Sequence, residues 1–350
     1  MHTNDRSLLN HRDSNFIRAC RGEPTDHTPV WFMRQAGRSF AEYRKLREKH
    51  SILELCQTPD LAAEVTLQPV DRLGVDAAIL FSDIVVPLLA MGVNIDIQEG
   101  VGPIVANPIR SVEDVDRLVP LVADEGVPHV IESVRILTDE LKVPLIGFGG
   151  APFTLASYMV EGRPSKDHAL TKSFMLSQPD AWKRLMDVLA DSVLEHLRAQ
   201  IAAGASAVQL FDSWAGTLDA DDYNAHVARS VAGIFKGLSD DDVPRILFGV
   251  TTGEILGDMA ATGPDVMGVD WRVPLDSARS RMPDTVTALQ GNLDPALVLA
   301  PWEVLEGKAR SVLERGGGRA HVFNLGHGVL PSTDPGVLAR LVDLVHAWRK

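Results

Sequence analysis

Short apolar runs rich in branched side chains recur along this chain, each ending in a polar or glycine-rich cluster with an amphipathic helical stretch behind it. Eight such runs stand out: Val30–Met33, Ala77–Phe81, Leu145–Phe148, Ala207–Phe211, Ile246–Phe248, Val266–Val269, Thr287–Gln290 and His321–Asn324. Between them lie candidate helices. Pro59–Leu73 begins after Thr58, an N-cap residue followed by proline at the first helical position. Pro179–Ala203 carries Leu185, Leu189, Val193, Leu197 and Ile201 at four-residue spacing. Leu218–Leu238, Pro295–Arg315 and Asp334–Trp348 complete the clearer ones. Helical connections of this length between parallel strands imply right-handed crossovers. Eight strand–helix repeats predict a closed barrel rather than an open doubly wound sheet: an α/β chain forming a single (β/α)8 TIM barrel. No linker composition interrupts the pattern. Residues 1–350 therefore read as one domain, with 1–14 a flexible N-terminal extension, and Asp240-Asp241-Asp242 and Gly316-Gly317-Gly318 as surface loops.

Charge and cysteine content exclude several function classes. The chain has 47 acidic against 34 basic residues, a formal net charge of −13, which argues against nucleic-acid or anionic-membrane partners because both need a basic face. An anionic small substrate remains open, since arginines gathered in a pocket can reverse the local field. Cys20 and Cys56 are too few for a disulfide framework and read as reduced thiols. Met1 to Cys20 is polar, with no apolar core of a signal peptide. The longest apolar stretch, Ile84 to Val93, is broken by Pro87 and Gly92 and is too short to span a bilayer. These features predict a soluble, cytoplasmic protein.

A β/α barrel places its chemistry at the carboxyl ends of its strands. Those ends read Arg34-Gln35-Ala36-Gly37-Arg38, Ser82-Asp83, Gly149-Gly150-Ala151-Pro152 with Tyr158 beyond, Asp212-Ser213-Trp214, Thr251-Thr252, Asp270-Trp271, Gly291-Asn292 and Gly326-His327-Gly328. Arg34 and Arg38, two permanent cations four residues apart, must pair with acids or bind an anion. Weak surface salt bridges are the plain alternative. Gly37 between them suits a tight turn that lets backbone N–H groups approach a ligand. Asp83, flanked by Phe81-Ser82 and Ile84-Val85-Val86, is costly in so apolar a setting unless it meets a partner; it is either a helix cap or an anion held ready.

Other chemistries lack their residues. Gly147-Phe148-Gly149-Gly150-Ala151-Pro152 has proline where a dinucleotide fingerprint needs its third glycine, and no GxxxxGK[ST] loop occurs. No histidine and cysteine pair at zinc spacing, so no metal site is expected. Ser213 lacks the GxSxG context of a nucleophile elbow.

Taken together, these segments resemble the uroporphyrinogen decarboxylase family. Pro29-Val30-Trp31-Phe32-Met33-Arg34-Gln35-Ala36-Gly37-Arg38 is similar to the family's N-terminal signature, and Gly147 to Leu155 with Tyr158-Met159 resembles its second. Phe81-Ser82-Asp83-Ile84, Phe211 to Gly216, Leu289 to Pro295 and Asn324 to Gly328 match in the family's order, from about residue 15 to the C-terminus. The resemblance implies a usually dimeric barrel enzyme, without metal or prosthetic group, that converts uroporphyrinogen III to coproporphyrinogen III by removing carbon dioxide from the acetate on each pyrrole. It further implies that Asp83 binds the pyrrole N–H groups, and that Arg34 and Arg38 engage substrate carboxylates, with Arg34 also a candidate proton donor. Tyr158, Ser213 and His327 would line the cleft, and backbone groups of Gln35, Ala36 and Gly37 would complete the anion contact. The chain departs from the family's Tyr-Leu-Pro after the second arginine, reading Ser39-Phe40-Ala41, and has His50-Ser51-Ile52 where a Gly-x-Phe element is usual. Altered loop packing is the expected result.

The chemistry is consistent with that resemblance. Decarboxylation leaves an electron pair on carbon, and many enzymes import a sink for it. A pyrrole protonated on a ring carbon supplies its own. The protein then needs an acid, an anion for the ring cation, and cations for the carboxylates. Two rivals are a zinc- or corrinoid-dependent methyltransferase of the same superfamily, which needs thiolate and imidazole ligands at strand ends, and a non-catalytic tetrapyrrole carrier.

Overall fold

The computed structural model describes residues 11–98, 100–317 and 320–349. In chain order β1 (Ala78–Ile79) is followed by a short antiparallel hairpin, β2 (Ile95–Gln98) and β3 (Gly102–Val105). Then come β4 (Leu145–Gly150), β5 (Ala207–Asp212), β6 (Arg245–Gly249), β7 (Val266–Gly268), β8 (Ala288–Leu293) and β9 (His321–Leu325). β1 and β4 to β9 form one curled seven-stranded parallel sheet, hydrogen-bonded in that sequence. Each of the seven coincides with a predicted run.

The first predicted strand is different. Val30–Met33 forms no continuous strand, only a single parallel bridge from Val30 to Phe323. Trp31 N–H donates to Phe323 O at 3.3 Å and Phe323 N–H to Pro29 O at 2.8 Å, while Asp76 N–H, beside β1, donates to Val30 O at 2.8 Å. Val30 thus touches both edges of the sheet and closes it. The ladder stops there because side chains take over from strand partners. Phe32 N–H donates to Gln35 Oε1 (3.0 Å), and Met33 N–H to Asn324 Oδ1 (3.0 Å). Backbone amides satisfied in this way no longer need a neighbouring strand.

Helices cover the outside. Of those that matter below, α1 is Asn15–Cys20, α2 Pro59–Leu73, α3 Pro152–Glu161, α4 Pro179–Ala203, α5 Ala220–His226, α6 Ala228–Gly237, α7 Trp302–Gly316 and α8 Pro335–Ala347. Gln200 of α4 is fully buried and holds both the N–H and the C=O of Phe148 at 2.9 Å. Gly147 allows this approach, since a Cβ there would stand 2.7 Å from Gln200 Oε1. Inside the barrel, Trp31 Nε1–H donates to Gln290 Oε1 (3.0 Å) and Gln290 Nε2–H to Gln209 Oε1 (2.9 Å), a polar strut from the first stave to β8 and β5.

Two predicted helices are divided. Leu218–Leu238 breaks at Val227 into α5 and α6, because Trp182 Nε1–H donates to the His226 carbonyl at 3.1 Å and removes it from the helical ladder. Pro295–Arg315 becomes a 3-10 turn, Pro295–Leu299, and α7, since Pro301 has no N–H to continue the first. The β2–β3 hairpin has no counterpart among the predicted runs. Gly317 ends α7 in the left-handed region, and Gly318 lies outside the described residues, as do residues 1–10 of the expected extension. Farther along that segment Arg12 pairs with Asp242 at 2.9 Å, and Ser14 Oγ caps α1 by accepting from Ile17 N–H. Among the described residues, no helix is long and apolar enough to cross a membrane. Cys20 and Cys56 are free and buried.

At the end of the barrel opposite the strand carboxyl termini, Asp76 accepts from His27 Nε2 and from His346 Nε2, both at 2.7 Å, and from Val30 N–H at 2.7 Å. This clasp fastens α8 to the first stave. It is also the one group of ligand-type side chains that converges among the described residues. The hydrogen bonding opposes a metal there. Asn15 Oδ1 accepts from Asp26 N–H (2.9 Å), which turns Asn15 Nδ2 toward His27 Nδ1 (3.2 Å). His27 Nδ1 is then the acceptor, so Nε2 carries the proton and has no lone pair for a cation. Burial would raise the pKa of Asp76, but the bonds from His27 and His346 outweigh it and hold the carboxyl below its usual range. A depressed carboxylate stabilises the fold fully above its unfolded pKa, about 3.9, and loses that contribution as pH falls through the lower folded value. Asp76→Asn should therefore cost roughly 1–3 kcal/mol at neutral pH, with the gap to the parent closing in acid; urea unfolding across that pH range measures it.

Candidate active site

The strand carboxyl ends bring the predicted residues to one mouth. Arg34 follows the closing bridge directly and has φ 58°, a left-handed conformation that is strained for any residue but glycine. Gly37, expected to supply the turn, has no positive φ; the turn's unusual conformation falls on the arginine itself. The stem of Arg34 lies against Gly328, where a Cβ would approach Arg34 Cδ to 2.5 Å. Both Arg34 and Arg38 are exposed, and neither side chain has an ion-pair or hydrogen-bond partner among the described residues. The weak-salt-bridge alternative therefore fails for this pair. Arg44 steadies the turn, its Nη1 donating to Arg38 O (2.7 Å) and Ser39 O (3.1 Å).

Gln35 needs reassignment. It is fully buried, its N–H donates to Phe32 O (2.9 Å), and its Nε2 donates to Ala77 O (3.1 Å). Its amide is engaged within the fold, so it supports the loop from beneath. The N–H groups of Ala36 and Gly37 have no partner among the described residues. In the departing segments, Ala41–Arg47 forms a helix and Ser51 begins another with a capping box to Glu54. Ile52 packs against the core, a reason for loop repacking there.

Asp83 is half-buried at the end of the β1 stave. Its Oδ1 accepts from Val85 N–H at 3.0 Å, a local turn just before a short helix, Val86–Ala90, and Oδ2 has no partner among the described residues. Val85 is the cap residue of that helix and no side chain caps it, so the expected helix-cap alternative is not what holds Asp83. Burial raises its pKa, against the pull of Val85 N–H and the Arg34 charge. Tyr158, on α3, faces the same space: burial and then the Asp83 charge push its phenol up to about 12. Its ring stands edge-on to Trp214 at 6.0 Å. Ser213 is half-buried without a protein partner among the described residues. Beneath it Asp212 is fully buried; Thr154 Oγ1 donates to its Oδ1 (2.8 Å) and accepts from Trp214 N–H (3.1 Å). Burial pushes Asp212 up to about 7.

Across the mouth His327 stands edge-on to Trp271, centroids 6.4 Å apart. Burial first, then the charges of Arg34 and Arg272, lower its pKa to about 4, so it is a neutral imidazole at physiological pH. Arg272 escaped the sequence reading although it follows Asp270-Trp271 directly; an arginine two residues past an aspartate at a strand end was the available signal. Asp212 and Thr154 also escaped it, because nothing in a sequence says which member of Asp212-Ser213 points inward.

These features make the molecule a β/α-barrel protein with ionisable side chains gathered at its strand carboxyl ends. A methyltransferase from Methanosarcina mazei shares this fold, with a TM-score of 0.80 at 21% identity over 95% of this chain and 98% of that one. The chain belongs to the uroporphyrinogen decarboxylase (URO-D) family, whose model matches residues 11–348. It is 59% identical to a uroporphyrinogen decarboxylase of Thermobifida fusca over 96% of this chain and 93% of the relative. A uroporphyrinogen decarboxylase of Geobacillus kaustophilus is 50% identical over 96% of this chain and 97% of the relative.

The coupling of Asp83 to Tyr158 can be read without substrate. The chain has three tyrosines, so Tyr158→Phe assigns one step of an alkaline absorbance titration. Asp83→Asn removes a negative charge that opposes the phenolate, and should move that step to lower pH; an unmoved step would show that the two side chains do not face one another.

Proposed function

We propose that this chain decarboxylates uroporphyrinogen III to coproporphyrinogen III, removing the four acetate carboxyls as carbon dioxide in porphyrin biosynthesis. Family membership supports the substrate, and one observation carries the mechanism: among the described residues Asp83 Oδ2 has no partner, and neither do the side chains of Arg34 and Arg38 at the same strand ends.

Each acetate consumes one proton: the carboxylate leaves as carbon dioxide and a hydrogen replaces it. Protonation of a ring carbon makes the pyrrole a cation. The electrons of the breaking carbon–carbon bond flow into that ring, forming an exocyclic methylene. Protonation of the methylene and loss of the ring-carbon proton then leave a methyl group. Asp83 accepts from the pyrrole N–H groups and opposes the ring cation, an attraction strengthened by its shielding from water. Arg34 and Arg38 hold substrate carboxylates by charge-assisted hydrogen bonds, joined by the N–H groups of Ala36 and Gly37. Arg34 is also the candidate proton donor. Ser213, Tyr158 and neutral His327 bond the outer carboxylates; a charged His327 would compete with the arginines for them. The macrocycle is its own electron sink, so this route calls for no metal or prosthetic group. The reading includes one catalytic domain over residues 1–350, a homodimer and a cytoplasmic location, the last two supported by the family resemblance.

Anaerobic incubation with reduced uroporphyrinogen, followed by chromatography by carboxylate number, tests the reaction; an unchanged octacarboxylate would refute it. Asp83→Asn should lower turnover by about 10²–10³-fold or more with folding intact. Because burial raises the pKa of Asp83, the acid limb of kcat/KM should lie above the ordinary aspartate value of about 3.9; a pH–rate profile reports it.

A further inference from the structure

Beyond β7, Arg272 is held in an unusual way for a surface arginine. Its guanidinium carbon lies 3.8 Å from the centre of the Trp271 ring, a stacking that fixes the plane of the fork. Nη1 donates to Asp270 Oδ2 at 3.0 Å, and Arg272 N–H donates to Asp270 Oδ1 at 2.8 Å. Nε and Nη2 have no partner among the described residues, and the side chain is 46% exposed. Asp270 itself is 2% exposed. It also accepts from Thr251 N–H, where Thr251 has φ 58°, and Asn292 Nδ2 donates to its carbonyl at 2.8 Å. The aspartate is therefore occupied in joining the ends of β6, β7 and β8, and it engages only one N–H of the guanidinium. Nothing in the fold uses the rest of the fork.

Its position gives it a use. The Trp271 ring contacts both Arg272 and His327, and the residue after His327, Gly328, supports the stem of Arg34. Arg34 and Arg272 are thus both near the neutral histidine, and both charges bear on it. We propose that Arg272 is a substrate-binding residue: a fixed cation that grips one side-chain carboxylate of the macrocycle and, opposite Arg34, determines how the ring lies across the mouth. Asp270 and Trp271 are its positioning residues. The proposal rests on the decarboxylase reading above and adds a contact that reading does not contain.

The test uses the full chain and reduced uroporphyrinogen. Arg272→Gln should raise KM by roughly ten- to a hundred-fold, the loss expected for hydrogen bonds to a charged group, with a much smaller change in kcat. The dependence of KM on ionic strength should become shallower. Arg272→Lys, which keeps the charge but neither the fork nor the stacking, should recover part of the loss. Arg229→Gln, at an exposed residue of α6, removes the same charge elsewhere and should leave KM within twofold of the parent. Inhibition by coproporphyrinogen identifies the carboxylate: weakened inhibition assigns it to a side chain retained in the product, and unchanged inhibition assigns it to a reacting acetate. The proposal is overturned if Arg272→Gln, melting as the parent does, keeps the parent's KM and salt dependence, or if Arg229→Gln raises KM equally. Should Arg272→Gln fail to fold, a parental KM in Arg272→Lys overturns it as well. A parent protein that releases no carbon dioxide would instead sink the decarboxylase reading, a separately visible result.

Discussion

The structure depends on how one residue's worth of backbone, Val30, closes the barrel. Seven strands make a curled sheet with two edges; the residues flanking Val30, Pro29 and Trp31, bond to Phe323 on one, and Val30 itself bonds to Asp76 beside the other. A longer eighth strand would have closed the sheet more firmly, yet it would have carried Arg34 along a regular ladder with an extended backbone. The side chains of Gln35 and Asn324 instead capture the next amides. The chain leaves the sheet at once and the left-handed turn at Arg34 becomes tolerable. Strain of this kind costs on the order of 1–3 kcal/mol and persists only where surrounding bonds over-determine it. Here they do, and the result is a cation aimed over the mouth rather than along its rim.

Electrostatics at the mouth run against the charge of the whole molecule. The chain is strongly acidic, and its described surface pairs many arginines with acids, as at Arg245 and Asp265. At the mouth the pairing thins. Arg272 keeps Asp270, but the side chains of Arg34 and Arg38 have no acid partner among the described residues, and Asp83 is half-buried with one oxygen bonded to Val85 N–H. Burial, with the charges of Arg34 and Arg272 acting in the same direction, keeps His327 neutral, so it can donate and accept hydrogen bonds without adding charge. A field of this shape favours a ligand with negative arms and a positive or polarisable centre. The negative exterior, in turn, discourages nonspecific polyanions.

Much of this was legible in the sequence. Strand positions were visible because a barrel strand is buried on both faces and reads as a short apolar run. The long helices Pro59–Leu73 and Pro179–Ala203 were visible to the residue, owing to proline at N1 and regular leucine spacing. The mouth residues followed from the rule that strand ends carry function. What failed depended on contacts between distant segments. Trp182 divides a helix by reaching the His226 carbonyl. Gln35 looked like part of an anion-binding turn and proved to be a buried brace, because its partner Ala77 lies some forty residues away. Arg272 was passed over since its stacking on Trp271 and its nearness to His327 exist only in three dimensions.

The clasp of His27, Asp76 and His346 has a consequence for synthesis. A ribosome makes the stave bearing Arg34 and Arg38 before any strand of the sheet, and the helix bearing His346 after all of them. Neither Phe323, which receives the stave, nor His346, which secures it, exists until the intervening strands have been made. The nascent polypeptide must therefore carry Val30, Trp31, Phe32 and Met33 as an apolar ribbon without a seat while the sheet is synthesised. Placement of the two arginines in this sense waits for β9 and α8, and shortened products that stop before β9 would hold the same arginines with nowhere to aim them.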